Sequence, residues 1–282
     1  MDEVGRGEWQ SVLYDLSRDQ GRPGEPFHAD PRMADWQYFL PLDGSQQALV
    51  FGVGWGTIPV ALSGTCRRVY AVDPAPQRLA FLKARLYQQR ISNVRLIQAR
   101  DLSGLPFASA SFDLIALVDQ TAQVHCEPAS LRNVLQTAHS LLKESGAFCL
   151  AAGNRLGFHR LLRRRKSPGD RSLHTLRGYR RLLMKVGFST VESYAPLPFY
   201  DGIPLFYLPL GRGPAMSFFL RNVFPLFEAV SPEVKRSYAL EYAVARAVVR
   251  LALRCRLERL ISLFLSGFIL VARREGGGTR VA

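Results

Sequence analysis

Between residues 47 and 151, short apolar runs alternate with longer stretches whose apolar residues recur every three or four positions. QALVFG reads as a buried strand, a glycine-rich turn follows, and GTIPVALSG has the pattern of a helix. RRVYAVD predicts the next strand and PQRLAFLKARLYQQR the next helix, with a proline near its start, where a missing N–H costs nothing. NVRLIQA, FDLIALV and AFCLAAG predict three more strands, and LRNVLQTAHSLLK an amphipathic helix ahead of the last of them. Strands that alternate with helices in this way predict an α/β fold with a mainly parallel sheet buried on both faces.

After Gly153 the order changes. RLLRRRKSPGDRSLHTLRGYRR places a Ser-Pro-Gly loop between two helix-prone pieces, and TVESYAPL follows as a strand. Residues 196–232 are rich in proline and aromatics, a long helix pattern runs from about Pro232 to Phe264, and GFILVARR reads as a last strand. Within that helix pattern Arg246, Arg250, Arg254 and Glu258 fall at four-residue intervals. Such a stripe fits the solvated face of a packed helix, and it also fits a basic amphipathic helix lying on an anionic membrane.

Composition adds one thing to this pattern. The 282 residues are 48% hydrophobic and 21% charged, which suits a folded globular chain and argues against disorder. Lys and Arg outnumber Asp and Glu by 37 to 23, a net charge of +14 that suggests an anionic partner. The surplus is local: residues 1–154 carry 14 basic and 15 acidic side chains, whereas 155–185 carry 11 basic and one acidic. Cys66, Cys126, Cys149 and Cys255 lack paired spacing, and no His or Cys falls at metal-ligand intervals, so neither a disulfide framework nor a metal site is expected. The charge-free stretch from Gly44 to Cys66 contains five glycines and Pro59, which suit strand, turn and helix start better than a membrane span. The start MDEVGRGEWQ has no apolar core of a signal peptide, and a cytoplasmic location, with peripheral contact at the inner membrane surface as the variant, is the expectation.

The chemistry is carried by Gly52-Val53-Gly54-Trp55-Gly56, which lies between a strand and a helix. Glycines there let the chain turn tightly and a ligand approach the main chain. Asp73 ends the next strand, where a carboxylate can accept hydrogen bonds from both hydroxyls of a ribose. The spacing is neither a GxGxxG pyrophosphate fingerprint nor a P-loop.

With these residues the sequence resembles the class I S-adenosylmethionine-dependent methyltransferases, and within them the methyltransferase type 11 group. The resemblance covers roughly residues 36–151 and rests on ALVFGVGWGTIPVALS, VYAVDPAPQRLAFLKAR, ARDLSGLPFASASFDLIAL and LLKESGAFCLAA, in that order. It implies a Rossmann-like fold with a seven-stranded, mainly parallel sheet, helices on both faces and a helical insertion before the last strand. It also implies S-adenosyl-L-methionine as cofactor, with Gly52, Gly54 and Gly56 beside its methionine part, Asp73 on the ribose, and Asp101 with the backbone of Leu102 at the adenine edge. One position departs from the family: Val50 stands where an acidic residue usually helps orient the cofactor's amino end. Asp113 and Trp36 are expected to be structural.

The implied organisation is an N-terminal extension (1–35), a cofactor-binding core (36–154), a basic segment with helix and sixth strand (155–194), an aromatic and helical insertion (195–264), and the last strand and tail (265–282). The acceptor side is expected just past FDLIALV, where Asp119 and His125 are the candidate catalytic residues, His125 having a pKa suited to proton removal near neutrality. Tyr200 ranks behind them. The expected reaction is methyl transfer to an oxygen or nitrogen of a small or lipid- or glycan-linked anionic acceptor. Two alternatives stay open: an RNA methyltransferase that uses the arginine cluster around Arg163, Arg164 and Arg165 as a phosphate track, and a degenerate, non-enzymatic binding module.

Overall fold

The computed structural model describes residues 30–118, 128–157, 173–197, 204–211, 213–225, 243–244, 246–255 and 257–275. Five strands form the parallel part of one sheet: β1 (Gln47–Phe51), β2 (Arg68–Asp73), β3 (Val94–Gln98), β4 (Phe112–Leu117) and β5 (Leu142–Gly153). Three more, β6 (Thr190–Leu197), β7 (Phe206–Leu210) and β8 (Gly267–Arg273), pair antiparallel. The spatial order is β3-β2-β1-β4-β5-β8-β6-β7, so the last strand in sequence enters between β5 and β6.

Among the described residues the sheet therefore has eight strands, where seven were expected. The extra strand is Phe206–Leu210, from the proline- and aromatic-rich stretch, which zips onto the free edge of β6 with Ser193 opposite Leu210. Its FYLPL sequence carries a proline, which an edge strand tolerates because one side of its ladder is unpaired.

The central strands are buried on both sides, and alternate residues serve two cores. Leu49 and Phe51 join a core with Leu131, Leu135 and Leu183. These come from helices α3 (Pro128–Leu141) and α4 (Leu176–Val186). Ala48 and Val50 face the other way, against Ile58, Leu62, Leu79 and Leu82. The helices there are α1 (Thr57–Ser63) and α2 (Pro76–Gln88). Trp36, on a 3-10 helix spanning Pro31–Phe39, is buried in this second core, as its expected packing role requires.

Local chemistry sets the element ends. Thr175 caps α4 by accepting from the Gly178 N–H at 3.2 Å, and Gly187 ends it in the left-handed conformation at φ 118°. Asp113 accepts from the Gln47 N–H at 2.9 Å and pairs with Lys143 at 2.9 Å, which ties the start of β1 to β4 and β5 and makes it a structural carboxylate. The LKESG stretch leaves the ladder as an irregularity within β5, with Ser145 at φ 61°.

The basic segment divides. Residues 158–172, with Arg163, Arg164 and Arg165, lie outside the described residues. Arg177, Arg180, Arg181 and Lys185 are exposed on the outer face of α4, opposite the buried Tyr179 and Leu183. The continuous helix expected up to Phe264 is broken. Helix over 246–254 stops at Cys255, where the Leu257 N–H donates back to the Ala252 carbonyl at 2.8 Å. A four-residue helix (Glu258–Ile261) and a 3-10 turn (Ser262–Phe264) then lead into β8. Asn154 fastens this return: its amide donates to the carbonyls of Leu263 and Leu265 at 2.7 and 2.8 Å.

Among the described residues no helix is long and apolar enough to cross a membrane, and no cluster of side chains is suited to a metal ion. Cys66, Cys149 and Cys255 are free thiols.

Candidate cofactor site

The parallel strands β1, β2 and β4 end on the same edge of the sheet, the edge at which ligands bind in open α/β folds. The glycine-rich turn leaves β1 there. Gly52 donates its N–H to the Val72 carbonyl at 2.8 Å, and Gly56 donates to the Val53 carbonyl at 2.7 Å, closing the turn into α1. Gly56 has φ 82°, and a Cβ on it would stand 2.6 Å from Leu82 Cδ1, so the chain needs glycine there twice over.

Asp73 is fully buried at the end of β2. Its Oδ2 accepts from the Val53 N–H at 2.9 Å and its Oδ1 from the Ala75 N–H at 2.8 Å. Arg78 lies 3.7 Å from Oδ2. The carboxylate therefore clamps the glycine-rich turn to the start of α2. Each of its oxygens retains acceptor capacity beyond one N–H, but it is closed to solvent, so a ribose reaches it only if the covering chain shifts.

Helix α2 supports the turn from behind through three residues. Leu82 packs under Gly56, the Trp55 and Phe81 rings meet edge-on at 5.4 Å, and Arg85 donates from Nη1 to the Trp55 carbonyl at 2.8 Å. Arg85 Nη1 also lies 3.4 Å from Thr57 Oγ1. Burial pushes its guanidinium down to about 10. Sequence reasoning missed this residue. Its signal was available: a charged side chain three positions after Leu82 and one before Leu86, on the stripe that α2 buries.

Asp101 is exposed and turned inward on its own loop. Its Oδ1 accepts from the Ser103 hydroxyl at 2.6 Å, the Ser103 N–H at 2.9 Å and the Gly104 N–H at 3.3 Å. The Ser103 hydroxyl bond, above all, holds its carboxyl below the usual range. Leu102 is buried in the first core with Phe51 and Val72, which pins the loop beside the ends of β1 and β2. The LPFASASFD segment is anchored by aromatics: Phe107 and Phe112 meet at 4.8 Å and both contact Tyr70 edge-on. Val50, in the family's acidic position, is wholly buried in the second core and offers no polar group. Asp119, His125 and Tyr200 lie outside the described residues.

This topology and this turn define a Rossmann-like α/β domain of the nucleotide- and nucleoside-binding kind. Residues 48–146 match the family model described as a methyltransferase domain. No curated protein matches the chain in sequence. Among solved structures, phosphoethanolamine N-methyltransferase 2 of Haemonchus contortus in complex with S-adenosyl-L-methionine superposes with a TM-score of 0.56 at 16% identity. The match covers 98% of this chain and 60% of that one, so the chain spans about three fifths of that enzyme's length. A SAM-dependent methyltransferase from Archaeoglobus fulgidus gives 0.52 at 15% identity, with 97% of both chains covered. The [4+2]-cyclase SpnF gives 0.55 at 16% identity, covering 95% of this chain and 96% of that one. A cyclase among the neighbours illustrates that the fold is shared beyond methyl transfer, so activity has to be argued from the site.

Proposed function

We propose that the chain binds S-adenosyl-L-methionine at the edge formed by Gly52–Gly56, Asp73 and the Asp101–Leu102 loop, and methylates an oxygen or nitrogen of a small or lipid- or glycan-linked anionic acceptor. The observation that carries the reading is the Asp73 clamp. One carboxylate fixes the turn, in which three of the five residues are glycine, at the distance of a hydrogen bond from the group that would hold a ribose. The donor set fits such a cofactor: backbone groups of the turn and a carboxylate for the nucleoside. The chemistry supplied by the bound cofactor is an electrophilic methyl group on a sulfonium, displaced in line with a neutral thioether leaving. The protein's own task is to align the acceptor and exclude water, and His125, following β4, is the proposed base, with Asp119 six positions before it as the second candidate.

Titration calorimetry with S-adenosylmethionine tests the reading. One-to-one binding with a Kd below about 1 mM supports it, and an acceptor screen with methyl-labelled cofactor then identifies the substrate. Heat indistinguishable from dilution at millimolar cofactor overturns it in favour of a methyltransferase-fold binding module, the alternative that the buried Val50 favours.

Arg85→Met separates the support of the turn from the stability of the fold. Removing the guanidinium loses its bond to Trp55 and also the cost of burying a charge, so the melting temperature moves by no more than the equivalent of about 1 kcal/mol. The freed turn lowers cofactor affinity by about fivefold to tenfold, read by the same calorimetry.

A further inference from the structure

The insertion between β6 and β8 has its own small core, formed by Leu197, Leu208, Met216, Phe219, Leu220 and Val249 with their neighbours. The helix over 246–254 gives Val249 to that core, with Leu253 packed against it, and a second apolar row is left in the open. Val244, Val248 and Leu251, four and three positions apart, are all exposed, Leu251 by 62%. Leu257, Leu260, Leu263 and Phe264 continue the exposure up to β8, and Phe218 is 64% exposed. Of the thirteen large hydrophobic side chains exposed among the described residues, eight lie between 218 and 264. Such a concentration differs from the single exposed apolar residues that any surface carries.

Charge decides what fits this face. By sequence, residues 243–264 contain five arginines, Arg246, Arg250, Arg254, Arg256 and Arg259, against one carboxylate, Glu258. At about 100° per residue, the row of Arg246, Arg250 and Arg254 and the row of Leu251, Val244 and Val248 lie side by side with the exposed Ala247 between them, and the exposed Ala243 falls within the arginine row. An outer face with one cationic edge, one apolar edge and only alanine between them suits a boundary that is apolar below and anionic above. RNA would use the arginines but not the leucines.

We propose that the outer face of residues 243–264 docks on the surface of an anionic phospholipid bilayer, its apolar row in the acyl boundary and its arginines on lipid phosphates. The proposal stands independently of the methyl-transfer reading. It places the insertion, and not the arginine cluster around 163–165, at the membrane.

Co-sedimentation of the full chain with vesicles tests it. The protein pellets with vesicles of equal parts phosphatidylcholine and phosphatidylglycerol, stays in solution with phosphatidylcholine alone, and is partly released by salt. Arg250→Gln and Arg254→Gln each weaken binding about fivefold. Leu251→Ser weakens it about tenfold or more without moving the melting temperature, because the side chain is exposed in the free protein. Failure to pellet with the anionic vesicles overturns the proposal. So does pelleting that is indifferent to both Leu251→Ser and Val248→Ser, which would mean adhesion by charge alone. A dimer seen by light scattering that Leu251→Ser dissolves would assign the face to a second copy of the chain and overturn it as well.

Discussion

Asp73→Ala lowers stability by about 2–5 kcal/mol and removes measurable binding of S-adenosylmethionine. The stability loss follows from the two N–H groups the carboxylate satisfies, those of Val53 and Ala75. Both are left facing a cavity, and a buried donor without a partner costs about 1–3 kcal/mol. The loss of binding has two sources, the missing acceptor for the ribose and the release of the glycine turn. Asp73→Asn tells them apart. Its amide oxygen replaces one of the two acceptors, so about half of the stability returns. Cofactor affinity remains about tenfold to a hundredfold weaker, because a neutral group replaces a charged acceptor toward the ribose hydroxyls. Thermal melts and calorimetry on the two variants give both readings. An Asp73→Asn protein that binds cofactor as the wild type does would leave Asp73 a purely structural residue.

Gly56→Val is expected to be the most damaging single change at the turn. The residue's φ of 82° is a conformation that a β-branched side chain adopts only under strain, about 1–3 kcal/mol. The first added carbon already lies 2.6 Å from Leu82 Cδ1. Leu82 is fully buried in the second core and has no open space to retreat into, so overpacking adds about 1–3 kcal/mol. The sum corresponds to a fall in melting temperature of about 5–15 °C. Any folded fraction starts α1 in the wrong place and loses cofactor affinity by more than about tenfold. Leu82→Ala in the same chain relieves the clash and not the backbone strain. A double variant that recovers part of the stability but none of the binding is therefore the expected outcome.

The α/β alternation was legible because the central strands are apolar on both faces and their helices carry period-3.6 stripes; β1, β2, β4 and β8 fall where the pattern places them. The eighth strand was not. Phe206–Leu210 contains a proline and reads as loop, and only the free edge of β6 makes it a strand, a tertiary effect that periodicity does not carry. The break at Cys255 was hidden for a related reason, since the apolar spacing runs through it and the chain turns there to reach β8. At the site, the glycines and Asp73 stood out by residue type and position. Their mutual bonding did not, because a backbone N–H leaves no mark on a sequence. Asp101 was expected at the adenine edge from the family resemblance alone, and its bonds to Ser103 and Gly104 are likewise local turn geometry that residue type does not announce.

The position of β8 has a consequence for how the chain comes to be folded at all. The last made of the eight described strands, it lies between β5 and β6 and carries the ladder hydrogen bonds that join those two strands' halves of the sheet. As the chain emerges from the ribosome, residues up to Gly153 can assemble a five-stranded parallel sheet with an open β5 edge. The β6–β7 hairpin must then wait, unattached to that sheet, until about sixty further residues have been made. Loss of the last strand would therefore sever the insertion from the cofactor half while leaving that half's own topology intact, and the exposed β5 edge would invite pairing with another nascent chain.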